Sequence, residues 1–594
     1  TSGETLERMT ENLKKVEQLS ERLTRVMTQR KTHDAALDAP NHDLFTKASQ
    51  AYWSEAMQNP AKVIEHQLAF WSNSVKHFVE AQQVVAKGKL PERDENAPRD
   101  RRFANPLWDT HPYFNFVKQQ YLINAEALTK AVEAVTDLDP AEKRRLDYFA
   151  RQIIDMMSPA NFLATNPDAL ERAVATEGQS LVQGLENLIS DLEANDGQLI
   201  VKLADENAFE LGRNIATTPG KVVFRNDLFE LIQYAPSTDK VRAEPVLIVP
   251  AWIMKYYVLD LSPHNSLIRH LVAQGFTVFA VSWCNPTAEQ ADLSLEDYRE
   301  DGVMAALDAV SAIVPGRKVH AAGYCLGGTI LSIAAATMAR DGDDRLASVT
   351  LLAAQTDFSE AGELMLFITD EQVSFLEAMM WDRGVLDTQQ MAGAFQLLRS
   401  NDLIWSRIVR DYMLGKRRPP NDLMAWNADQ TRMPYRMHSE YLRSLLLNNE
   451  LATGRYYVDE KPIAINDIRI PIFSVASVTD HVAPWKSVYR INLLANSQEV
   501  TFLLTTGGHN AGIVSEPGHR GRSFKIATRR GGREYVDPET WQEQTPSVRG
   551  SWWPTWQNWL AEHSGNPTEL PGLGAAEAGY PPLDDAPGTY VFQR

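Results

Sequence analysis

Short runs of β-branched and apolar residues recur from about residue 245 to residue 509, separated by stretches long enough for a helix. The runs are PVLIVPAWI, TVFAVSWCNP, KVHAAGYC, SVTLLAAQTD, PIFSVASVTD and VTFLLTTGGH. Strands that alternate with helices in this way form a parallel sheet whose faces are covered by the helices. The sequence therefore predicts an α/β fold with a mostly parallel sheet.

The rest of the chain is organised differently. Residues 1–200 are predicted to form a helical N-terminal domain, because apolar residues near the start recur at steps of three and four, as Leu6, Met9, Leu13, Val16, Leu19, Leu23 and Val26. Residues 201–594 are predicted to form the catalytic domain. Within it, the alternation stops between about 358 and 468, which indicates an inserted, mostly helical cap. The Pro- and Gly-rich tail, about 565–594, is predicted to be an extended arm.

Composition excludes several classes of protein. A net charge of -18 argues against a nucleic-acid surface, which needs clustered cations. The two cysteines, Cys284 and Cys325, supply neither a disulfide framework nor the spacing of a metal finger, and we expect no metal site. No apolar stretch approaches the roughly 20 residues of a spanning helix. We therefore expect a cytoplasmic protein without a transmembrane segment.

Cys325 lies where a predicted strand, KVHAAGY, meets a predicted helix, LGGTILSIAAATMAR. Gly323 and Gly327 flank it, and neighbouring glycines are what a sharp strand-to-helix turn requires. This is the layout of the nucleophile elbow of the α/β-hydrolase fold, with cysteine in the place of serine. The alternative is a buried, inert cysteine. We favour a nucleophile because the glycines and the strand-to-helix change coincide.

An elbow nucleophile needs an acid and then a base later in the chain, each after a strand. Asp480 follows PIFSVASVT and His509 follows VTFLLTTGG, so both have the required order and placement. Asp357, after SVTLLAAQT, is the alternative acid. His481 is the alternative base, although its position beside Asp480 favours a supporting role. Cys325, Asp480 and His509 are thus the predicted triad.

The oxyanion formed during attack needs two hydrogen-bond donors. One should be the backbone N–H of Leu326, directly after the nucleophile. The other should come from the turn after VLIVP, at Trp252 or Ile253, and the sequence does not decide between them. A thiol accepts an acyl group from a thioester with little change in energy and keeps it reactive. Cysteine here therefore favours an acyltransferase with a thioester donor and an alcohol acceptor.

Several motifs in order resemble the class I polyhydroxyalkanoate synthases. They are GYCLGG from Gly323, DHVAPW from Asp480, GGHNAG from Gly507, DRRFANPLW from Asp100, PANFLATNP from Pro159, FELIQY from Phe229, SWCNP from Ser282, LMAWNADQT from Leu423 and GSWWPTW from Gly550. The resemblance extends from about residue 100 to near the end of the chain. Trp426, within one of these motifs, becomes a candidate supporting residue together with Trp252 and His481.

The resemblance implies polymerisation of (R)-3-hydroxyacyl-CoA, typically 3-hydroxybutyryl-CoA, with release of CoA. Cys325, Asp480 and His509 match the family's nucleophile, acid and base, and Asp480 would also help to activate the 3-hydroxyl group. No cofactor is implied beyond the CoA that the substrate carries. The family further implies homodimers bound to the polymer granules that they make, with granule-coating proteins as possible partners. Asn510 stands where an apolar residue is expected, and Cys284 where a basic one is expected.

Two other functions remain open at this point. A cysteine-dependent thioesterase or hydrolase would share the triad but would not require so large an N-terminal domain. A granule scaffold without catalysis would explain the amphipathic N-terminus, yet it would not need an intact Cys, Asp and His. The products formed from a hydroxyacyl-CoA, polymer or free hydroxy acid, distinguish the first of these from a synthase.

Overall fold

The structure, a computed structural model, is described here for residues 2–29, 72–76, 100–136, 138–194, 208–362, 365, 368–386, 405–417, 419, 421–532 and 534–594. The chain divides into two compact units, residues 1–202 with 393–419, and residues 203–392 with 420–594. Most of the helical pattern predicted between residues 30 and 90 lies outside the described residues. Within the described parts of the chain, no helix combines the length and the apolar character needed to cross a bilayer.

The first unit is helical. Its helices are α1 Ser2–Gln29, α2 Leu107–Thr110, α3 Pro112–Glu133, α4 Pro140–Met156, α5 Pro167–Ala175 and α6 Gln179–Ala194, with a π-helix at Ile408–Met413. Several helices begin at a proline after a capping side chain, as where Asp139 accepts hydrogen bonds from the N–H groups of Ala141 and Glu142. Trp108 is fully buried against Phe103 and Phe114. These contacts form a small aromatic core.

The second unit contains a sheet of ten strands in the order β1-β2-β4-β3-β5-β6-β11-β12-β13-β14. The strands are β1 Gly220–Arg225, β2 Phe229–Tyr234, β3 Val246–Val249, β4 Val278–Trp283, β5 Val319–Tyr324, β6 Leu346–Leu352, β11 Ile472–Ser477, β12 Glu499–Thr505, β13 Ser523–Arg530 and β14 Ser547–Arg549. The strands from β4 to β12 pair in parallel, and the pairs at both edges are antiparallel. The predicted mostly parallel α/β sheet is confirmed.

Helices accompany the sheet in chain order. They are α7 Leu267–Ala273, α8 Leu295–Asp297, α9 Ala305–Ile313, α10 Leu326–Asp341, α11 Asp370–Arg383, α12 Asp422–Ala428, α13 Tyr435–Glu440, α14 Trp485–Tyr489, α15 Ile491–Leu494, α16 Pro538–Gln544 and α17 Trp553–Glu562. All residues of β3, β4 and β5 are buried, as expected for parallel strands covered on both faces. Helix α10 is buried along most of its length. The elbow therefore lies at the centre of the unit.

The chain between β6 and β11 carries α11, α12 and α13 and two small antiparallel pairs, β7 Val385–Leu386 with β8 Met433–Pro434, and β9 Tyr457–Val458 with β10 Lys461–Pro462. The sequence predicted one inserted cap over about 358–468. The structure differs, because residues 393–419 group with the helical first unit. In the tail, single residue bridges join Thr568 to Val241 and Asp585 to Lys221 at the edge of the sheet.

Candidate active site

Cys325 occupies a sharp turn between β5 and α10. Its φ of 52° and ψ of -123° place a non-glycine residue in a conformation that side chains rarely adopt, and such strain is typical of functional sites. The Cys325 N–H donates to the Leu352 carbonyl at 2.9 Å, and its carbonyl accepts from Gly328 N–H at 2.9 Å. The neighbouring strand and the first helical turn thus hold the strained residue in place.

Two glycines make the turn possible. A Cβ atom on Gly327 would lie 2.0 Å from the Val249 carbonyl oxygen, and one on Gly323 would lie 2.4 Å from Gly328 Cα. The end of β3 therefore lies directly against the first turn of α10. This contact brings the turn after β3, which contains Trp252 and Ile253, close to the start of the helix that follows the nucleophile.

The structure brings Asp480 and His509 together at the ends of the adjacent strands β11 and β12. His509 Nδ1 lies 2.7 Å from Asp480 Oδ2. The other carboxylate oxygen, Oδ1, accepts hydrogen bonds at 2.8 Å from the N–H groups of Val482 and Ala483. The Asp480 side chain is completely buried, so it can hold its partner ring without competition from water.

The charge environment of His509 favours its protonated form. Burial lowers the pKa of His509, but the nearby Asp480 carboxylate and Cys325 thiol outweigh that effect, and the pKa lies well above its usual value of 6.5. His509 can therefore hold a proton taken from Cys325. The arrangement has the chemistry of a nucleophile with an oriented base.

The alternative acid, Asp357, has other partners. Its carboxylate accepts hydrogen bonds from Ser359 Oγ at 2.6 Å and Asn449 Nδ2 at 3.0 Å, and it pairs with Arg490. These bonds tie the end of β6 to the helix after Asp480. His481, the alternative base, is partly buried beside Asp480, while the hydrogen bond to the Asp480 side chain is made by His509.

The predicted supporting tryptophans shape the turn after β3. Trp252 is buried, with its ring centroid 5.0 Å from that of Tyr298. Trp426 Nε1 donates to the Lys255 carbonyl at 2.7 Å. Thr431 binds both peptides of the turn, since its hydroxyl donates to the Trp252 carbonyl and its N–H donates to the Ile253 carbonyl. Sequence reasoning did not identify Thr431, although it lies in the same motif as Trp426.

Cys284, the second cysteine, follows β4 and is only 5% exposed. Burial raises the pKa of its thiol to about 11. Its sulfur accepts a weak contact from Gln290 Nε2 at 3.7 Å. Cys284 therefore has the properties of a packed, inert thiol.

Lys255 is a further residue that the sequence did not single out. It is 3% exposed, and its Nζ donates to the Gln593 carbonyl at 2.7 Å. Burial lowers its pKa to about 8. Metal ligands are not grouped in this way: in the described ranges, no three His, Cys, Asp or Glu side chains are arranged to hold a metal ion.

Tyr324 and Asn510 are two more neighbours of the triad. The Tyr324 hydroxyl donates to Asn510 Oδ1, and the Tyr324 ring centroid lies 5.6 Å from that of His509 at an interplanar angle of 30°. Tyr324 directly precedes the nucleophile and Asn510 directly follows the base. The unexpected polar residue after His509 thus binds the residue before Cys325.

Comparison with known proteins gives matches over nearly all of the chain. A family model described as the poly-beta-hydroxybutyrate polymerase (PhaC) N-terminus matches residues 99–271, and the alpha/beta hydrolase fold model matches residues 244–515. The poly(3-hydroxyalkanoate) polymerase of Methylorubrum extorquens is 39% identical over 91% of this chain and 87% of its own length.

Two further relatives are poly(3-hydroxyalkanoate) polymerase subunits named PhaC. The one from Rhizobium etli is 36% identical over 94% of this chain and 88% of its own length. The one from Cupriavidus necator is 39% identical over 87% of this chain and 87% of its own length.

Proposed function

The chain belongs to the poly(3-hydroxyalkanoate) polymerases, which are acyl-transferring enzymes, and from this premise we propose that it polymerises (R)-3-hydroxyacyl-CoA through a thioester on Cys325. The preferred monomer that we propose is 3-hydroxybutyryl-CoA. The observation that carries the proposal is the elbow cysteine combined with the 2.7 Å contact between His509 and Asp480. This combination supplies a nucleophile, a base and a group that orients the base.

The first half-reaction loads the enzyme. His509 Nε2 takes the proton of the Cys325 thiol, and the sulfur attacks the thioester carbonyl of the substrate to give a tetrahedral oxyanion. The oxyanion collapses, the bond to the CoA sulfur breaks, and the imidazolium returns the proton to CoA. Free CoA leaves, and the acyl group remains on Cys325 as a thioester.

The second half-reaction makes the ester bond. The hydroxyl group of a hydroxyacyl unit attacks the thioester carbonyl on Cys325 while His509 accepts its proton, and that proton returns to the departing Cys325 sulfur. One ester bond forms and one thioester bond breaks, so extension is downhill. We propose that Asp480 assists by stabilising the imidazolium and by helping to activate the hydroxyl group.

The oxyanion is proposed to bind the backbone N–H groups of Leu326 and Ile253. The carbonyl of Trp252 and the N–H of Ile253 belong to one peptide and point in opposite directions. Because the Thr431 hydroxyl holds the Trp252 carbonyl, it also fixes the direction of the Ile253 N–H. This geometry supports Ile253 as the second donor, with Trp252, Trp426 and His481 as supporting residues.

The decisive experiment compares products. Purified chain is given (R)-3-hydroxybutyryl-CoA, and released CoA, turbidity and free 3-hydroxybutyrate are followed in one sample. We expect CoA release with rising turbidity and little free acid, and loss of both signals in Cys325→Ala. CoA release with stoichiometric free acid and no turbidity would instead identify a cysteine-dependent thioesterase.

The remaining expectations extend the proposal. We propose that no cofactor is needed, so EDTA should leave CoA release unchanged. We also propose cytoplasmic homodimers at the granule surface, with granule-coating proteins as further partners. Exposed apolar side chains in the first unit support a contact with an apolar surface, namely Ile153, Met156, Met157, Phe162 and Leu163. Sedimentation velocity tests dimerisation. Co-sedimentation of Phe162→Ser with polymer, compared with the parent chain, tests the surface.

A further inference from the structure

We infer that Asn510 is a positioning residue for His509, acting through its hydrogen bond with Tyr324. The inference deepens the proposed function and rests on it, because it concerns how the proposed base is held against the proposed nucleophile. It assigns a role to a side chain that does not itself take part in proton transfer or attack.

The nucleophile side of this link is rigid. Tyr324 is the last residue of β5 and is 2% exposed. Burial raises its pKa well above 10, with smaller contributions in the same direction from Cys325 and Asp480, so the phenol stays neutral and keeps its proton to donate. Cys325 follows directly in the chain. The position of the Tyr324 ring is therefore coupled to that of the thiol.

The base side of the link is a loop between β12 and β13. Its start is tied to the loop of the acid, since Thr479 N–H donates to the Gly507 carbonyl at 3.1 Å. The Asn510 carbonyl accepts hydrogen bonds from Ile513 N–H at 3.1 Å and Val514 N–H at 2.9 Å. The Asn510 backbone thus closes the turn directly after His509, and its side chain is directed to Tyr324.

Together these contacts hold His509 from two directions. The Asp480 carboxylate holds the ring through Nδ1, and the Tyr324 ring lies close to one face of the imidazole, 5.6 Å between centroids. The Asn510 amide oxygen keeps Tyr324 and the loop of His509 at a fixed separation. A displacement of about 1 Å between a base and its nucleophile can lower a rate by as much as 100-fold.

The test is a double-mutant cycle with Asn510→Leu, Tyr324→Phe and the double variant. Leucine has the shape of asparagine but no acceptor atom, and phenylalanine lacks the donor. We expect each single variant to lower kcat for CoA release about 10-fold with KM little changed. The double variant should lose no more than either single variant, because both remove the same bond.

A second measurement needs no polymerisation. The rate at which iodoacetamide alkylates Cys325, followed against pH, reports the thiolate paired with His509. We expect the profile of Asn510→Leu to be displaced from that of the parent chain. Asn510→Asp retains an acceptor and adds a negative charge, so it should recover kcat to within about 3-fold while extending the protonated form of His509 to higher pH.

Tyr489→Phe is the matched control. The Tyr489 hydroxyl donates to the Val536 carbonyl at 2.7 Å, and its ring packs against Phe502 and Trp541. It should lower the melting temperature without changing kcat or the alkylation profile. Additive losses in the cycle, or an Asn510→Leu profile equal to that of the parent chain, would overturn the inference. If the parent chain instead makes free hydroxy acid, the proposed function fails, while the alkylation profiles still test the Tyr324–Asn510 bond.

Discussion

His509 and Asp480 are joined by a contact of 2.7 Å between Nδ1 and Oδ2. Two backbone N–H groups hold the other oxygen of the carboxylate, so the acid cannot turn away from the ring. A carboxylate at Nδ1 requires the proton on that nitrogen, which leaves Nε2 as a free base. The acid thus selects the tautomer that can accept the proton of the thiol.

Asp480→Asn should keep the fold and lose most of the activity. The amide can donate to Nδ1 and so favour the tautomer with its proton on Nε2, which cannot accept another. We expect CoA release to fall by about 100- to 10,000-fold. The pKa of His509 should also fall, because the Asp480 charge is what chiefly raises it. Steady-state CoA release and NMR titration of the imidazole measure the two effects, and an unchanged rate would remove Asp480 from the mechanism.

Asp357→Asn should have the opposite pattern. The Asp357 carboxylate is buried and pairs with Arg490, which links the end of β6 to the segment after Asp480. We expect a loss of about 2 kcal/mol in the free energy of unfolding, moderated because Arg490 is partly exposed. The pH profile of CoA release should keep its shape. A profile that loses a limb would mean that Asp357, rather than Asp480, is the acid.

The two cysteines should differ sharply in reactivity. Cys284 is buried with a thiol pKa of about 11, so at pH 8 only about one molecule in a thousand carries its thiolate. Iodoacetamide should label Cys325 and stop CoA release, as Cys325→Ala does. Cys284→Ala should retain most activity and cost about 1 kcal/mol of stability. Peptide mapping by mass spectrometry locates the label, and equal losses in both alanine variants would mean that the nucleophile is misassigned.

Gly327→Ala should disrupt the elbow. The added methyl group would lie 2.0 Å from the Val249 carbonyl oxygen, and backbone cannot move aside as a flexible side chain can. We expect a loss of stability of at least about 3 kcal/mol together with loss of activity. Gly342→Ala is the matched control at the other end of α10, where φ is +78° and the added group has open space. It should cost about 1 kcal/mol, from backbone strain alone, and leave kcat unchanged. Denaturant unfolding compares the two.

The sequence predicted the centre of the sheet better than its edges. Parallel strands are covered on both faces and appear as continuous apolar runs, as in β3, whose residues are all buried. The edge strand β13, by contrast, is SFKIATRR, partly exposed and rich in cations. Such a strand is stabilised by pairing with β12 rather than by its own pattern. The grouping of residues 393–419 with the first unit is likewise a tertiary contact that local pattern does not contain.

The order and strand-end positions of Cys325, Asp480 and His509 could be predicted because the fold fixes them. Their supporting contacts could not, since they join distant parts of the chain. The Tyr324–Asn510 bond spans 186 residues, and the bond from Lys255 to Gln593 spans 338. One signal was present: Asn510 is polar at a position next to the base where an apolar residue was expected. The sequence marked the residue as unusual, and the structure supplies its partner.

His438 should make the fold sensitive to acid. It lies in α13, is 4% exposed, and its Nδ1 has no hydrogen-bond partner among the described residues. Burial lowers its pKa to about 4, from about 6.5 in an unfolded chain. Between these values the unfolded state binds more protons than the folded state. Stability is therefore complete above pH 6.5 and is lost as the pH falls towards 4, by about 3 kcal/mol.

His438→Phe should remove this loss, because phenylalanine fills a similar volume and cannot be protonated. Urea unfolding of both chains at pH 7.5, 6 and 5 measures it, and the difference between them should grow in favour of the variant as the pH falls. His320 is the matched comparison: burial lowers its pKa to about 4 as well, but its ring nitrogens lie 2.7 Å from Ser348 Oγ and 2.9 Å from Ser564 Oγ. His320→Phe leaves both hydroxyls without that partner, so it should cost stability at pH 7.5. Parallel pH dependences of the parent chain and His438→Phe would show that His438 can be protonated without unfolding the chain.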